Sequence, residues 1–550
     1  MHLFHMTHTG LHMEGISFPQ QRLLLSALLD VRVAERPHDI AFVDGDREVS
    51  YAEFRILTQR AANWLQGQGI KRGDRVAVWL VNSVEWLALL FGIARIGATL
   101  VSVNTRYRSD EVSYILSRSA AKLLILQTNF RSIDFPSIVA SIDVASVPAL
   151  ETVAVLNADE STPARLIGRP VIALDPAALP DAANALNVDD PESATILFTT
   201  SGTTKDPKLV MHPQRTLTDH ALRCARAYQF YEPNSRMLAV LPFCGVFGLN
   251  GALAAFAAGA PVVIMDTFDA GTALKLIERH QITHTFGSDE MYRRLIDAAP
   301  GERPFPSARI FGFGAFTSSF DDYARKACAR GIPLQGLYGS SEVLALFSVQ
   351  QADLAVDERI KGGGLPVAHD ATVRIRDVDT GELVAPGERG EIEILAPTNF
   401  IGYLGNPEAT ASALLPDGFF RTGDVGYLRT DGSFVYETRM GDAIRLGGFL
   451  VNPVEIEDVL KRIDGVADAQ VVAVEIAGQS RAVAFVVSVP GADVTETSVI
   501  EATKPVVAAF KVPARVWFVE DFPVTQSSNG IKTQRNKLRD MAYARLRDSH

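Results

Sequence analysis

The run from Phe198 to Val210, Phe-Thr-Thr-Ser-Gly-Thr-Thr-Lys-Asp-Pro-Lys-Leu-Val, gathers five hydroxyl side chains around one glycine. The hydroxyls belong to Thr199, Thr200, Ser201, Thr203 and Thr204, the glycine is Gly202, and Lys208 follows closely. Such a loop offers clustered O–H and backbone N–H donors to phosphate oxygens, and a lysine can offset their charge. Gly202 keeps no side chain between the backbone and a ligand. The Walker A pattern needs a second glycine directly before Lys-Ser/Thr, and it is missing here, which disfavours a P-loop NTPase. The same composition also suits a polar surface loop after a strand, because the apolar stretch Ala194-Thr-Ile-Leu-Phe198 comes immediately before it.

Four further segments carry reactive groups. Leu337-Tyr-Gly-Ser-Ser-Glu342 sets an aromatic ring, a glycine and a carboxylate side by side. Gly418-Phe-Phe-Arg-Thr-Gly-Asp-Val425 presents Asp424, and the stretch Arg439 to Glu457 opens on Arg-Met-Gly-Asp. Asn529-Gly-Ile-Lys-Thr-Gln-Arg535 places Lys532 near the C-terminus.

Strands and helices must hold these segments, and the periodicity supplies them. Residues 49–125 alternate: a helix from Tyr51 to Gly67 capped by Ser50, a strand Arg75–Leu80, a helix Glu85–Ile96 and a strand Ala98–Val103. Strand patterns recur at Met237–Leu241, Pro261–Met265 and Thr283–Phe286, with helices between them, which favours a largely parallel α/β sheet. From about Arg359 the pattern turns β-rich: Thr372–Arg376, Gly390–Leu395 and Ser433–Glu437, punctuated by Asp-Thr-Gly and Asp-Gly turns. After Arg439 a small α/β unit follows, with helix Val454–Arg462, strands Ala467–Val474 and Ala482–Val489, helix Ser498–Val506 and strand Arg515–Val519. A polar tail from Thr525 ends in a basic helix.

At 550 residues the chain exceeds a single core, so two or more domains are expected. Its 47% hydrophobic and 21% charged residues are ordinary for a globular protein. A net charge of −11 argues against a general nucleic-acid binder, though not against a small anion held by local cations. Cys224, Cys244 and Cys328 are too few and scattered for a disulfide framework or a Cys-rich zinc site, and a reducing cytoplasm fits them. The N-terminus lacks the apolar core of a secretory signal. The longest apolar runs, Trp86–Ala94 and Gly251–Ala258, are too short to span a bilayer.

In order and spacing the five segments resemble the adenylate-forming superfamily of acyl-CoA synthetases, peptide-synthetase adenylation domains and firefly-type luciferases. The resemblance runs from about Ser50 to the end of the chain. It implies ATP, Mg²⁺ and coenzyme A: a carboxylate attacks the α-phosphorus of ATP, and a thiol then displaces AMP from the acyl-adenylate. By that resemblance Thr199, Thr200, Ser201, Gly202, Thr203, Thr204 and Lys208 wrap the phosphates. Tyr338 stacks on adenine near Gly314, Ala315 and Gly339, and Ser341 supplies a hydroxyl that relatives usually provide with threonine. Glu342 is the catalytic Mg²⁺ ligand, Asp424 accepts the ribose hydroxyls, Arg439 contacts ribose or phosphate, and Lys532 is the catalytic lysine of adenylation. Gly441 falls where relatives usually carry aspartate or lysine at a hinge.

Departures from the pattern are informative. Lys205 and Leu209 stand where relatives commonly have glycine, so the phosphate loop is stiffer. Gly245 stands where many acyl-CoA synthetases place an aromatic or histidine gate to the acid pocket, and losing a ring opens space for a bulky or elongated acid. The expected pocket residues Cys244, Val246, Phe247, Phe313, Val343, Leu344 and Phe347 are apolar. None of them could pair an amino acid's charges, which counts against an amino-acid-activating domain. The implied fold is α/β. A large N-terminal domain of α/β layers with a β-rich subdomain, residues 1–438, binds ATP and acid, and a small mobile α/β C-terminal domain, 439–550, rotates between half-reactions. The expected activity is an AMP-forming ligase joining an apolar carboxylic acid to CoA. A free-standing enzyme loading an acyl carrier protein uses the same thiol arm and stays open beside it. A luciferase-like oxygenase and a non-catalytic nucleotide-binding relative stand further off.

Overall fold

Ser50 starts the first expected helix by a reciprocal cap: its hydroxyl accepts the Glu53 N–H, and the Glu53 carboxylate accepts the Ser50 N–H (3.3 and 2.8 Å). The helix that follows, α1 (Tyr51–Gly67), buries Tyr51, Phe54, Ala61, Ala62 and Leu65. It packs on the helix Val84–Arg95 at Gly92, where a Cβ would stand 2.9 Å from the Ala61 Cβ. Only glycine permits that approach. The computed structural model describes residues 11–13, 16–18, 23–128, 130–131, 133–160, 162–176, 190–200, 207–314, 320–446, 449–476, 479–507, 509–527 and 530–548.

Among the described residues, a nine-stranded sheet has parallel strands at its centre, Thr99–Ser102, Arg75–Trp79, Leu123–Gln127 and Thr152–Leu156. On one flank it adds β1 (Ala194–Thr199) and then the antiparallel β2 (Leu209–Pro213), with Thr199 opposite Leu209. The phosphate-loop segment is therefore the connection of a hairpin. Helix α2 (Gln214–Ala227) follows β2 directly and is buried along most of its length.

A second sheet of thirteen strands lies across helix α3 (Val246–Ala258), which is apolar except for Asn250 and wholly buried. Within α3, Phe256 packs among Phe42, Phe54 and Phe91 with ring centroids 5.5–5.7 Å apart. Truncating such a ring to alanine costs roughly 3–5 kcal/mol. The centre of this sheet is parallel: Met237–Ala239, then β3 (His284–Ser288), β4 (Ile310–Gly314) and β5 (Leu334–Tyr338). Ser288 pairs with Gly314 and Phe313 with Gly336, so these strands finish together at one edge.

The β-rich part continues this same sheet. It runs through Ser348–Val349 and Gly363–Pro366 to β7 (Phe420–Leu428) and β8 (Phe434–Arg439), while β6 (Gly402–Tyr403) crosses back to pair with β2 in the first sheet. The C-terminal unit has its own apolar core, from Ile444 to Val516, built on α4 (Pro453–Lys461), β9 (Val466–Ile476) and its partners. Its last elements are a hairpin, β10 (Val524–Ser527) and β11 (Gly530–Thr533), and α5 (Arg535–Asp548). Arg535 is anchored there by the fully buried Glu457, which also accepts the Val471 N–H (2.8 Å). A buried ion pair of this kind holds only when its remaining lone pairs are also met, as Val471 does here.

Candidate active site

Lys208 and Thr200 close the base of the β1–β2 connection: Thr200 N–H donates to the Lys208 carbonyl (3.0 Å), and Lys208 N–H donates to the Thr200 hydroxyl (3.1 Å). The Thr199 hydroxyl lies 3.2 Å from the Tyr107 hydroxyl. Ser201, Gly202, Thr203 and Thr204 lie outside the described residues, as does Ala315. The Lys208 ammonium sits 4.7 Å from the centre of the Tyr403 ring.

Gly314 and Tyr338 are the last residues of β4 and β5, at the carboxyl edge of the parallel strands. Open α/β sheets take ligands at that edge. Beyond Tyr338 the chain turns sharply, and a Cβ on Gly339 would fall 2.5 Å from the Ala345 Cα, so glycine is required. Ser341–Val343 form one 3₁₀ turn, and Leu344, Ala345 and Leu346 follow at φ of 62°, 47° and 41°. Left-handed backbone costs about 1–2 kcal/mol for each such residue. Contacts offset that strain: Ala345 N–H to the Ser340 carbonyl (2.8 Å), Phe347 N–H to the Tyr338 carbonyl (2.9 Å), and the Cys224 thiol of α2 to the Leu346 carbonyl (3.6 Å).

His212, on β2, reaches the same turn. Its Nε2 lies 2.8 Å from the Ser341 carbonyl, which can only accept, so Nε2 carries the proton, and Nδ1 lies 3.3 Å from the Thr216 hydroxyl. Complete burial lowers its pKa to about 4, which keeps the ring neutral. Glu342 is half-buried; its Oε1 accepts the Tyr403 hydroxyl (2.9 Å), and its carbonyl accepts the Phe400 N–H (2.8 Å). Burial and then the Glu342 charge push the Tyr403 phenol far above its ordinary range, so it remains a donor.

Asp424 on β7 is opposite Arg439 on β8 in the ladder. One carboxylate oxygen accepts the Tyr338 hydroxyl (2.5 Å), and the other lies 3.0 Å from Arg439 Nε. Asp424 is only 3% exposed, whereas the Arg439 side chain is nearly half exposed. Burial and the Asp424 charge raise the Tyr338 phenol well above its usual value. The Tyr338 ring itself is buried against Phe434 and Tyr436, 5.3 and 5.5 Å away.

A magnesium ion beside a nucleotide takes one or two carboxylates together with substrate phosphates. No group of three or more His, Cys, Asp or Glu able to hold a metal occurs among the described residues. Glu342, a single oriented carboxylate, fits a cation held mainly by nucleotide oxygens.

The residues expected to line an acid pocket are buried. Val246, Phe247, Phe313, Val343, Leu344 and Phe347 belong to one buried apolar cluster. Cys244 is buried too, its thiol pushed up to about 11. A small apolar cavity lies between β3 and the helix Asp289–Ala298, lined by residues such as Leu238, Gly287 and Tyr292. Gly245 caps the N-terminus of α3. Gly441 sits in an exposed turn after β8, where a Cβ would meet no atom within 4 Å. Lys532 lies on β11 with its backbone opposite Thr525; its side chain is outside the described residues. Tyr403 and His212 were not among the expected site residues. The β2–β6 pairing, between segments nearly two hundred residues apart, sets Tyr403 beside β2, while His212 on β2 meets the Ser341 carbonyl next to Glu342.

A model of the AMP-binding enzyme family matches residues 29–404, and one of the AMP-binding enzyme C-terminal domain matches 455–529. The chain belongs to the AMP-binding enzyme family. This AMP-binding enzyme is 33% identical over 533 residues to a methyl-dioxo-octahydro-indenyl propanoyl:CoA ligase of Mycobacterium tuberculosis, covering 93% of this chain and 98% of that one. It is 31% identical over 527 residues to 4-coumarate–CoA ligase 2 of Oryza sativa, covering 92% and 90%. The crystal structure of ATP-bound MatB from Rhodopseudomonas palustris superposes with a TM-score of 0.78 at 27% identity, covering 93% of this chain and 98% of that one. The two-part architecture, a large α/β domain followed by a small C-terminal domain, is that of the family. No helix among the described residues is long and apolar enough to cross a membrane.

Proposed function

We propose that this enzyme is an AMP-forming carboxylic acid–CoA ligase acting on an apolar, bulky acid. In the first half-reaction the acid's carboxylate oxygen attacks the α-phosphorus of ATP; the α–β phosphoanhydride bond breaks, and pyrophosphate leaves. In the second, the CoA thiol attacks the acyl carbonyl and AMP departs. The observation that carries the reading is a pair of contact chains. Lys208, Tyr403 and Glu342 form one, and Tyr338, Asp424 and Arg439 form the other. Together they join four of the five chemistry-bearing segments of the sequence.

In this reading Thr199–Thr204 and Lys208 hold the leaving phosphates, while Gly314, Ala315 and Gly339 leave room for the base beside Tyr338. Asp424 accepts ribose hydroxyls, and Arg439 reaches ribose or phosphate. Glu342 would hold Mg²⁺ with the phosphate oxygens; when bound, the ion neutralises phosphate charge. Lys532 arrives from the C-terminal domain for adenylation, and that domain turns about Gly441 before thiol transfer. The chain divides functionally between residues 438 and 439.

The relatives named above are ligases of a fused-ring propanoic acid and of an aryl-propenoic acid, which supports an apolar, ring-bearing substrate. In this reading Gly245 and the apolar side chains around Val246 and Phe313 line the acid's site. Three free cysteines suit a reducing cytoplasm. The test is acid-dependent exchange of labelled pyrophosphate into ATP without CoA, across fatty, aryl and fused-ring acids. Exchange with ring-bearing acids is expected, and none with any acid would overturn the reading.

A further inference from the structure

Tyr403 is 6% exposed and reaches two of the charged groups assigned above. Its hydroxyl donates to Glu342 Oε1 at 2.9 Å, and its ring centre lies 4.7 Å from the Lys208 ammonium. Its backbone is pinned on both sides. Ladder pairing sets Tyr403 opposite Val210, the Leu404 N–H donates to the Leu209 carbonyl (2.9 Å), and the Tyr403 N–H donates to the Thr410 hydroxyl (2.9 Å). The ring rests on Phe400 with centroids 4.8 Å apart. Phe400 in turn donates its N–H to the Glu342 carbonyl, and His212 donates to the preceding carbonyl of Ser341. The β2–β6 edge therefore grips Glu342 at its carboxylate, at its own carbonyl and at the carbonyl before it.

We propose that Tyr403 is the positioning residue of the metal–phosphate end of the site: its hydroxyl aims the Glu342 carboxylate at a divalent cation, and its ring holds the Lys208 ammonium beside it. The proposal rests on the reading that Glu342 ligates Mg²⁺ and Lys208 serves the phosphates. A carboxylate on a flexible stem must otherwise order itself when the cation binds, and a pre-set one binds with less entropy to lose. The two parts of the side chain separate by mutation. Tyr403→Phe keeps the ring, the Phe400 contact and the Lys208 contact but removes the donor. Tyr403→Leu removes both.

The experiment uses the full chain with α,β-methylene-ATP and follows Mn²⁺ binding by electron paramagnetic resonance, beside calorimetric titration of the metal-free analogue. Tyr403→Phe should weaken Mn²⁺ in the ternary complex by about tenfold, the scale of one hydrogen bond to a charged group. It should leave metal-free analogue binding, thermal midpoint and CoA transfer from preformed acyl-AMP within about twofold or one degree of wild type. Tyr403→Leu should weaken the metal-free analogue as well. Unchanged Mn²⁺ affinity in Tyr403→Phe overturns the proposal, and so does an equal loss in both half-reactions with a lowered thermal midpoint, which would mark a packing role. If the wild type itself binds no Mn²⁺–analogue complex, the underlying nucleotide reading falls, and the proposal with it.

Discussion

Asp424 is held by Tyr338 on one oxygen and Arg439 on the other, yet the proposed ribose hydroxyls need the same carboxylate. An ionised carboxylate has about four lone-pair sites, so it can keep both neighbours and still accept from a ligand. Asp424→Ala should therefore weaken AMP by about ten- to a hundredfold, the loss of hydrogen bonds to a charged acceptor, in a calorimetric titration. Unaltered AMP affinity would remove Asp424 from the nucleotide site. The proposed function gives Lys532 a different step. A cation set against charge developing on transferring oxygens is worth on the order of a hundred- to a thousandfold. Lys532→Ala should lose acyl-AMP formation by that factor while still converting synthetic acyl-AMP and CoA at near-normal rate. If both steps fall together, Lys532 supports structure instead.

The strands and α2 meet around neutral histidines. Burial lowers His212 to about 4, His220 to about 3 and His284 to about 4. His284 is locked by its bond to the Tyr228 carbonyl (2.8 Å) and by stacking on Phe230 at 4.2 Å. In the unfolded chain each returns to about 6.5, so below that pH the unfolded state binds more protons. Stability is complete above about pH 6.5 and falls as acid is added toward about pH 4, by up to ~1.4 kcal/mol per pH unit for each histidine. His284→Gln should flatten the slope of urea midpoint against pH between 6.5 and 4.5 by roughly a third of the histidine contribution. An identical slope would mean that His284 is solvated when folded. Local patterns announced α1 with its Ser50 cap, and the strands Thr372–Arg376 and Gly390–Leu395 stand where alternation put them. The site's frame was less legible. Tyr403 follows a glycine in a two-residue strand too short for any periodicity, and its meaning comes from pairing with Val210. His212 reads as one polar residue in an apolar strand until the Ser341 carbonyl arrives from elsewhere. The sequence around Lys532 shows only a polar tail, because alternation over four residues cannot be told from loop, yet it forms a hairpin.

At the scale of the whole molecule, the two contact chains lie in the proposed large domain as far as Arg439, the first residue of the proposed small one, which also carries Lys532; the proposed function has that domain turn between adenylation and thiol transfer. Gly441 carries no positive φ and no crowded neighbour in this arrangement, so nothing here demands glycine. A hinge concentrates its φ/ψ change in a few residues, and glycine permits both signs of φ. Gly441→Pro fixes φ near −65° and should preserve one half-reaction, adenylation, while abolishing CoA transfer from preformed acyl-AMP. A Gly441→Pro enzyme that runs the full cycle normally would place the pivot elsewhere. The central claim concerns the bond broken in ATP, and one measurement reads it directly. The purified enzyme is given ATP, Mg²⁺, CoA and a fused-ring or aryl-substituted propanoic acid, and products are quantified by phosphorus NMR with mass spectrometry of the thioester. The account predicts AMP, pyrophosphate and acyl-CoA in equal amounts, all dependent on the acid. Acid-dependent ADP and phosphate in their place would contradict it.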